Sequence, residues 1–340
     1  MLHDIALNFE DGVTRFIACG PDETVADASF RSGINIPMDC RDGACGTCKC
    51  HVESGDFDAG SYIEDALSEQ EFARGYALAC QIRPASNLVI SVAASSVACR
   101  IKSQTLAATL TAVERLSDTA IAFTLEVPSG MAFLPGQYVN VTVPGTDQTR
   151  SYSFSSAPGE TTFSFLVRYI PHGVMSSFLR DRAVPGVPVT VAGPSGGFYL
   201  RDIRRPVLFL AGGTGLAPFL SMLAKIAATG CAQPVHLIYG VTNDDDLVAV
   251  DQLEAFAQRI PGFTFTCCVA ADESDYPRKG YVTAHIDPAH LNGGDVDIYL
   301  CGPPPMVEAV RGWLDRQGIS PASFHFEKFA PSGALQRKAA

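Results

Sequence analysis

The fold is decided by one short stretch, Cys40-Arg41-Asp42-Gly43-Ala44-Cys45-Gly46-Thr47-Cys48. A further cysteine, Cys80, follows after 31 intervening residues, so the full spacing is C-x4-C-x2-C…C. The chain has 340 residues and eleven cysteines, of which four fall between Cys40 and Cys50. In a reducing compartment, cysteines grouped in this way are more often metal ligands than disulfide partners.

Two kinds of metal site are compatible with these cysteines. Zinc sites usually pair two C-x2-C knuckles, whereas here the fourth cysteine stands alone far downstream. Four thiolates on two irons must converge from a tight loop, in which Gly43 and Gly46 let the backbone turn its N–H groups toward sulfur. The spacing is that of plant-type ferredoxins and favours a [2Fe–2S] cluster. The predicted ligands are Cys40, Cys45, Cys48 and Cys80. Cys50 is interpreted as a bystander, because the set is complete without it.

Length and composition indicate a multidomain chain that folds almost throughout. Single hydrophobic cores stop growing at roughly 250–300 residues, and 47% of the residues are apolar while 18% are charged. The formal net charge is −11, and residues 1–95 carry −9 of it, from 15 acidic and 6 basic side chains. Such a charge opposes binding to nucleic acid or to an anionic membrane surface.

The sequence also predicts where the protein works. No apolar run approaches the roughly 20 residues that a membrane span needs, and residues 1–11 lack the basic start and apolar stretch of a signal peptide. We therefore expect a cytoplasmic protein that binds neither nucleic acid nor membranes.

Three sequence patterns follow one another along the chain. Residues 1–95 combine the cysteines with a hairpin and helix pattern, and 96–104 are interpreted as a linker. Residues 105–200 carry alternating apolar and β-branched runs, which predict an antiparallel barrel or sandwich. Residues 201–340 alternate apolar strands with helix-like segments, which predict a parallel sheet with crossover helices.

The middle segment contains a run of aromatic, hydroxyl and guanidinium groups at 150–156. In an extended strand Arg150 and Tyr152 face one way and Ser153 the other, so one face can stack on a ring and bind phosphate. Alone, the run is equally compatible with an ordinary strand and its turns. It is followed by Arg168 and by a glycine- and serine-bearing helix start at 172–179, and helix N-termini suit a pyrophosphate.

These two motifs resemble the R-x-Y-S and G-x-x-S/T signatures of the ferredoxin–NADP reductase superfamily. The resemblance implies FAD rather than FMN, with its ring on the tyrosine and its pyrophosphate at the arginine and the helix start. The implied flavin contacts are Arg150, Tyr152, Ser153, Arg168, Gly173, Ser176 and Ser177.

The last segment places a glycine turn between a strand and a helix at 206–218, with proline near the first helical position. Such a turn is more often structural than functional, and it is not the G-x-G-x-x-G fingerprint. The superfamily, however, has G-G-T/S-G-x-x-P at this point and C-G-P after a later strand, and both are present here. The resemblance implies these NADH contacts: Gly212, Gly213, Thr214, Gly215, Cys301, Gly302 and Pro303.

Three residues are the candidates for contact with the reacting rings. By the resemblance, Cys301 lies beside the nicotinamide and Phe329 joins Tyr152 in stacking on the flavin. The alternatives are a small buried cysteine and an ordinary edge strand at 324–329. Carboxylates at 270–273 and 244–246 favour NADH over NADPH, because they would repel a 2′-phosphate. Arg278 and Lys279 are the opposing evidence, since they could supply a positive charge, but their turn-like segment favours a solvated role.

Residues 6–16 and 62–67 resemble benzoate- and anthranilate-type dioxygenase reductases. The implied fold is a β-grasp ferredoxin domain, an antiparallel flavin-binding β-barrel and a Rossmann-like nucleotide domain with a parallel sheet, in a multidomain α+β and α/β chain. The implied function is transfer of electrons from NADH through FAD and the [2Fe–2S] cluster to a Rieske-type terminal oxygenase. The alternatives are the reductase of a di-iron methane- or phenol-type monooxygenase and a non-enzymatic redox sensor.

Overall fold

The computed structural model describes residues 2–329, so the last part of the predicted domain 201–340 lies outside the described residues. The chain divides into two compact units. The first unit comprises the chain up to Gln104 together with Gly193–Gly197, and the second comprises the remainder. The predicted domains 105–200 and 201–340 therefore share most of one unit.

A five-stranded mixed sheet forms the frame of the first unit, in the order β2-β1-β7-β3-β5. Its first two strands form an antiparallel hairpin, and β1 and β7 are parallel. The strands of this unit are β1 His3–Phe9, β2 Thr14–Cys19, β3 Lys49–Ser54, β4 Phe57–Asp58, β5 Tyr76–Leu78, β6 Arg83–Pro84 and β7 Leu88–Val92. Strands β4 and β6 form a separate two-stranded sheet. The helices are α1 Val25–Arg31 and α2 Glu69–Ala73. A mixed sheet with a helix packed on it confirms the β-grasp prediction.

Residues 96–104, which the sequence predicted to be a linker, pack against the first unit. The N–H and hydroxyl of Ser96 donate to the Asp11 carboxylate at 2.9 and 2.8 Å, and the Asn35 N–H donates to the Cys99 carbonyl at 2.7 Å. Cys99 is buried in the core. This stretch carries no periodic apolar pattern, so its packing could not be predicted from the sequence.

A six-stranded sheet in the order β11-β10-β13-β8-β9-β12 forms the barrel of the second unit. Its strands are β8 Gln104–Arg115, β9 Ala120–Glu126, β10 Tyr138–Thr142, β11 Thr149–Ser153, β12 Thr162–Arg168 and β13 Pro188–Ser195, and α3 is Val174–Asp181. A bridge between Phe154 and Phe165 brings β11 to β12 and nearly closes the sheet. Stacked aromatic rings fill the interior, with Phe133 and Phe154 3.7 Å apart. The structure is therefore the barrel, not the sandwich.

A parallel five-stranded sheet in the order β16-β15-β14-β17-β18 completes the second unit. Its strands are β14 Val207–Gly212, β15 Val235–Val241, β16 Phe263–Val269, β17 Asp297–Gly302 and β18 Ser323–Lys328. The helices are α4 Ala217–Thr229, α5 Val250–Arg259, α6 Pro288–Leu291 and α7 Pro304–Gln317. The strand order reverses between β14 and β17, and ligands of open α/β sheets bind at the carboxyl ends beside such a reversal. Within the described part of the chain, no helix combines the length and apolarity of a membrane span.

Candidate functional site

The four predicted ligand cysteines lie in two pairs. The thiols of Cys40 and Cys45 are within hydrogen-bonding reach of each other, and so are those of Cys48 and Cys80. Cys48 and Cys80 are buried, Cys40 is half-buried and Cys45 is exposed. Over residues 2–329, no three or more His, Cys, Asp or Glu side chains group around a point for a single metal ion. Two pairs fit a [2Fe–2S] cluster, in which four thiolates are shared between two irons.

The loop that carries these cysteines depends on two glycines. Gly43 has φ +79°, and a Cβ there would lie 2.3 Å from the Ser61 carbonyl oxygen. Gly46 has φ +74°, and a Cβ there would lie 3.0 Å from the Ala66 carbonyl oxygen. A side chain at either position would be strained and would collide with backbone, so the sequence prediction about these glycines has a steric basis.

Hydrogen-bond donors surround the sulfur atoms. The Ala44 N–H donates to Cys40 Sγ at 3.4 Å, and the Gln81 side-chain amide donates to Cys80 Sγ at 3.5 Å. Hydrogen bonds from Cys48, Gln81 and the Gly43 N–H lower the pKa of Cys80, and the same Cys48–Cys80 hydrogen bond, together with burial, raises the pKa of Cys48. The Ala44 N–H and the Gln81 amide, which are not ligand thiols, stabilise the thiolate form that binds metal. The residues present therefore fit the cluster.

The predicted flavin residues occupy the end of β11. Tyr152 presents its ring edge-on to Phe123 at 5.5 Å, and burial raises the pKa of Tyr152 above its ordinary value. The Arg150 guanidinium donates to the Gln148 side chain at 2.9 Å, and Arg150 is half-buried. The Ser153 hydroxyl points elsewhere and donates to Glu327 at 3.1 Å. The strand thus offers a half-buried aromatic ring beside a guanidinium, which fits a flavin with its phosphates.

The start of α3 differs in one respect from the expectation. Gly173 caps the helix as predicted, and Arg168 is exposed at the end of β12. The Ser176 hydroxyl, however, is buried, and it donates to the Ile170 carbonyl at 3.0 Å and accepts from the Ile170 N–H at 3.2 Å. Ser177 is half-buried, and its N–H donates to the Gly173 carbonyl. The Ser176 hydroxyl therefore holds the turn, which leaves the first-turn N–H groups of α3 as the donors for a pyrophosphate.

The two glycine motifs of the nucleotide sheet are in direct contact. Strands β14 and β17 are parallel neighbours, which brings the turn at Gly213–Leu216 beside Cys301. A Cβ on Gly215 would lie 2.3 Å from the Cys301 carbonyl oxygen, and one on Gly212 would lie 3.1 Å from Pro303. A Cβ on Gly302 would lie 2.7 Å from the Met306 sulfur. The turn that contains Gly213 and Thr214 is therefore held by backbone packing at the carboxyl edge of the sheet.

Glu327 joins two predicted residues that are far apart in the sequence. Its Oε2 accepts from the Ser153 hydroxyl at 3.1 Å and lies 4.0 Å from Cys301 Sγ. Burial, followed by the charge of Glu327, raises the pKa of Cys301 well above its ordinary value, so the thiol stays protonated. In the run at 324–329, the resemblance implied a role for Phe329 and none for Glu327. Glu327 is the register partner of Cys301 across β17 and β18. Alternation along the strand places Glu327 and Phe329 on the same face, and this pattern could have identified Glu327 from the sequence.

Phe329 lies beside the same turn as Cys301. Its N–H donates to the Gly302 carbonyl at 2.8 Å, and its half-buried ring packs against the core of the sheet. The structure therefore brings Ser153, Glu327, Cys301 and Phe329 together at the carboxyl edge between β17 and β18.

Acidic and basic side chains meet at the ends of β15 and β16. Asp244 accepts from Ser274 at 2.8 Å and is exposed. The segment that carries Arg278 and Lys279 returns to pair with Val269, and the Lys279 ammonium donates to the Asp272 carbonyl at 3.1 Å. The basic pair thus lies near the predicted nucleotide edge, with one of its charges already engaged by the main chain.

A thiolate loop, an aromatic strand at a barrel and two glycine turns on a parallel sheet define an iron–sulfur flavoprotein reductase. Three known families match the chain in the same order. Residues 8–85 match the 2Fe-2S iron-sulfur cluster binding domain, 107–199 the oxidoreductase FAD-binding domain and 209–312 the oxidoreductase NAD-binding domain. The predictions of a [2Fe–2S] cluster, FAD and NAD are thereby confirmed.

The chain belongs to the family of dioxygenase electron transfer components. It is 58% identical to the electron transfer component of toluate 1,2-dioxygenase from Pseudomonas putida, over 98% of this chain and 100% of the relative. It is 50% identical to that of 2-halobenzoate 1,2-dioxygenase from Burkholderia cepacia, over 98% and 99%. Among solved structures, a cytochrome P450 reductase from Amycolatopsis is 32% identical with a TM-score of 0.73, over 96% of this chain and 99% of that one.

Single replacements of Cys45 and Cys50 test which of the two cysteines is a ligand of the cluster. We predict that Cys45→Ala loses the iron and acid-labile sulfide but keeps the flavin, because the predicted flavin residues lie in the second unit. The control is Cys50→Ala, since the Cys50 thiol is buried and donates to the Ala77 carbonyl. Iron, sulfide and flavin content of both purified variants decide the matter. Iron loss in Cys50→Ala, or flavin loss in Cys45→Ala, would contradict the assignment.

Removing the Glu327 carboxylate tests the contact between strand and barrel. We predict that Glu327→Ala slows NADH-dependent reduction of ferricyanide about ten-fold, because the buried Ser153 hydroxyl loses its acceptor. Glu327→Gln, which still accepts a hydrogen bond, should lose less. The control is Glu308→Gln, whose carboxylate pairs with Lys328 at the surface and should leave the rate unchanged. Equal losses in the Glu327→Ala and Glu308→Gln variants would refute the assigned role.

Proposed function

We propose that this chain carries electrons from NADH through FAD and the [2Fe–2S] cluster to the Rieske-type terminal oxygenase of a benzoate-type dioxygenase. The observation that carries the proposal is the coexistence of two kinds of site in one chain. The paired thiols of the first unit suit one-electron transfer, and the edge between β17 and β18 suits a nucleotide beside a flavin.

The residues of β11, the start of α3 and the nucleotide turn have separate tasks in this proposal. The bound flavin supplies the ability to take up two electrons as hydride and to release them singly. Tyr152 supports the flavin ring from one side, and Arg150 with the first-turn N–H groups of α3 binds its phosphates. The turn at Gly213–Leu216 admits the phosphates of the nucleotide, because its backbone carries no obstructing side chains at the glycines.

The edge between β17 and β18 keeps the Ser153 hydroxyl hydrogen-bonded and the Cys301 side chain in its neutral thiol form. Glu327 accepts from Ser153, and burial together with the Glu327 carboxylate keeps the Cys301 thiol protonated, so this thiol carries no negative charge beside a nicotinamide. Phe329 covers the same edge and limits the entry of water. These groups bind and orient, and no general base is required.

We further infer that NADH is preferred over NADPH. The carboxylates of Asp244 and Asp245 are exposed at the end of β15, where they would repel a 2′-phosphate or accept from ribose hydroxyls. Arg278 and Lys279 are the opposing charges. The main-chain contact of the Lys279 ammonium supports a role for it in the fold of the returning segment.

The partner is inferred from the relatives. Toluate, 2-halobenzoate and anthranilate, in the names of relatives 58%, 50% and 42% identical, are all aromatic carboxylates. The reductase component of a propane 2-monooxygenase from Rhodococcus jostii is only 31% identical. This contrast supports an aromatic-ring dioxygenase over a di-iron monooxygenase as the electron acceptor.

We also place the protein in the cytoplasm. All eleven cysteines are free thiols, including buried ones that take no part in the proposed cluster. Unpaired cysteines in this number are typical of a reducing compartment.

Reconstitution with an oxygenase tests the proposed function. We predict that the holoprotein, mixed with NADH and the terminal oxygenase of Pseudomonas putida toluate 1,2-dioxygenase, supports oxidation of toluate. The rate should fall as salt rises, because the −9 charge of residues 1–95 is screened beyond about 10 Å at 0.1 M ionic strength. The Cys45→Ala variant is the control and should give no product. Turnover by that variant, or none by the wild type, would contradict the proposal.

A further inference from the structure

Helix α1 exposes a phenyl ring on its outer face. The helix buries Val25, Ala26, Ala28 and Ser29 against the sheet. Asp27, Phe30 and Arg31 are spaced to share the opposite face, and Phe30 is 57% exposed. A large apolar side chain left in water at the centre of a charged helix face contributes little to the stability of its own domain.

The ring lies against the loop that carries the cluster ligands. The Arg41 guanidinium is 6.0 Å from the centroid of Phe30 and 3.6 Å from the Asp27 carboxylate. Arg41 directly follows Cys40, and its carbonyl accepts from the Gln81 amide that also donates to Cys80 Sγ. The backbone that supports the ring is therefore the backbone that holds the sulfur atoms.

The beginning of α1 is attached to the same place. The Val25 N–H donates to the Ile82 carbonyl at 3.1 Å, and the Ala26 N–H donates to the Ala79 carbonyl at 2.9 Å. Both acceptors flank Cys80, so the first turn of the helix is fixed to the turn of a predicted ligand. Phe30 consequently has a set position relative to the cluster loop.

The charges around Phe30 are of both signs, in a domain that is strongly acidic. Arg31 is engaged by Glu23 at 2.8 Å, and Arg41 lies over the ring. Asp27 and Asp42 are both exposed. Asp27 precedes Phe30 in the sequence, and Asp42 directly follows Arg41. We call the set Asp27, Phe30, Arg41 and Asp42 the Phe30 face.

We propose that the Phe30 face is the surface on which the terminal oxygenase docks. The phenyl ring enters an apolar hollow on the oxygenase, and cationic groups at the rim of that hollow meet Asp27 and Asp42. Aromatic residues, including Phe, are enriched at the core of protein interfaces, and the rim of such interfaces is polar. The most exposed ligand, Cys45, lies in the same loop as Arg41, so docking here brings the partner to the cluster. The proposal rests on the proposed function and names the surface that it uses.

A matched control lies at the end of β1 remote from the cluster loop. Leu2 is 67% exposed and immediately precedes β1. The other end of β1, at Phe9, pairs with Val92, which in turn pairs with Cys50 beside the cluster loop. At about 3.3 Å per residue, β1 separates Leu2 from that end by roughly 20 Å.

The test compares Phe30→Ala, Phe30→Leu and Leu2→Ala as holoproteins with the wild type. We expect Phe30→Ala to raise the Kd for the Pseudomonas putida toluate oxygenase about ten-fold, measured by calorimetry, with an equal fall in kcat/KM for its reduction. Phe30→Leu should recover part of the loss, and Leu2→Ala should match the wild type. Ferricyanide reduction and the rate at which NADH bleaches the cluster without oxygenase should be unchanged in all three.

The outcomes distinguish a wrong docking surface from a wrong proposed function. If Phe30→Ala binds and reduces the oxygenase as the wild type does, the docking surface is wrong while the proposed function stands. Equal losses in Phe30→Ala and Leu2→Ala, or slower bleaching of the cluster in Phe30→Ala, would also overturn it. If the wild type itself neither binds nor reduces the oxygenase, the proposed function fails.

Discussion

The parallel pairing of β14, β17 and β18 is the constraint on which the site depends. One register places Ala211 beside Cys301 and Cys301 beside Glu327, so residues about 115 positions apart reach one edge. A slip of one residue would turn the Cys301 and Glu327 side chains to opposite faces and break the contact. The glycines at 212 and 215 make the register possible, since a Cβ at either would meet the neighbouring turn.

The chain uses one chemical group in two opposite electrostatic settings. In the cluster loop, hydrogen bonds from the Cys48 thiol, the Gln81 amide and the Gly43 N–H lower the pKa of Cys80, while the pKa of Cys48 itself is raised. Beside Glu327, burial and a neighbouring carboxylate raise the pKa of Cys301, which keeps a neutral thiol where a nucleotide would bind. The groups that surround each thiol, and not the residue type, therefore shift the pKa of Cys80 and that of Cys301 in opposite directions.

The sequence predicted the features that depend on short spacings. The cysteine loop, the Tyr152 strand and the two glycine turns can each be recognised within a few residues. Their order along the chain predicts the three-part architecture. Glu327 was missed because its partners, Ser153 and Cys301, are brought to it only by strand register and by barrel contact. The engagement of Ser176 and the packing of 96–104 were missed for the same reason, since both are tertiary hydrogen bonds without a local pattern.

Anaerobic titration of the holoprotein with NADH tests the central claim most directly, namely that one chain takes electrons in pairs and passes them on singly. The account predicts that the absorbance of both the flavin and the cluster falls, with about three electrons taken up per chain, two by the flavin and one by the cluster. Uptake of about two electrons, with the flavin bleached and the cluster absorbance unchanged, would contradict it.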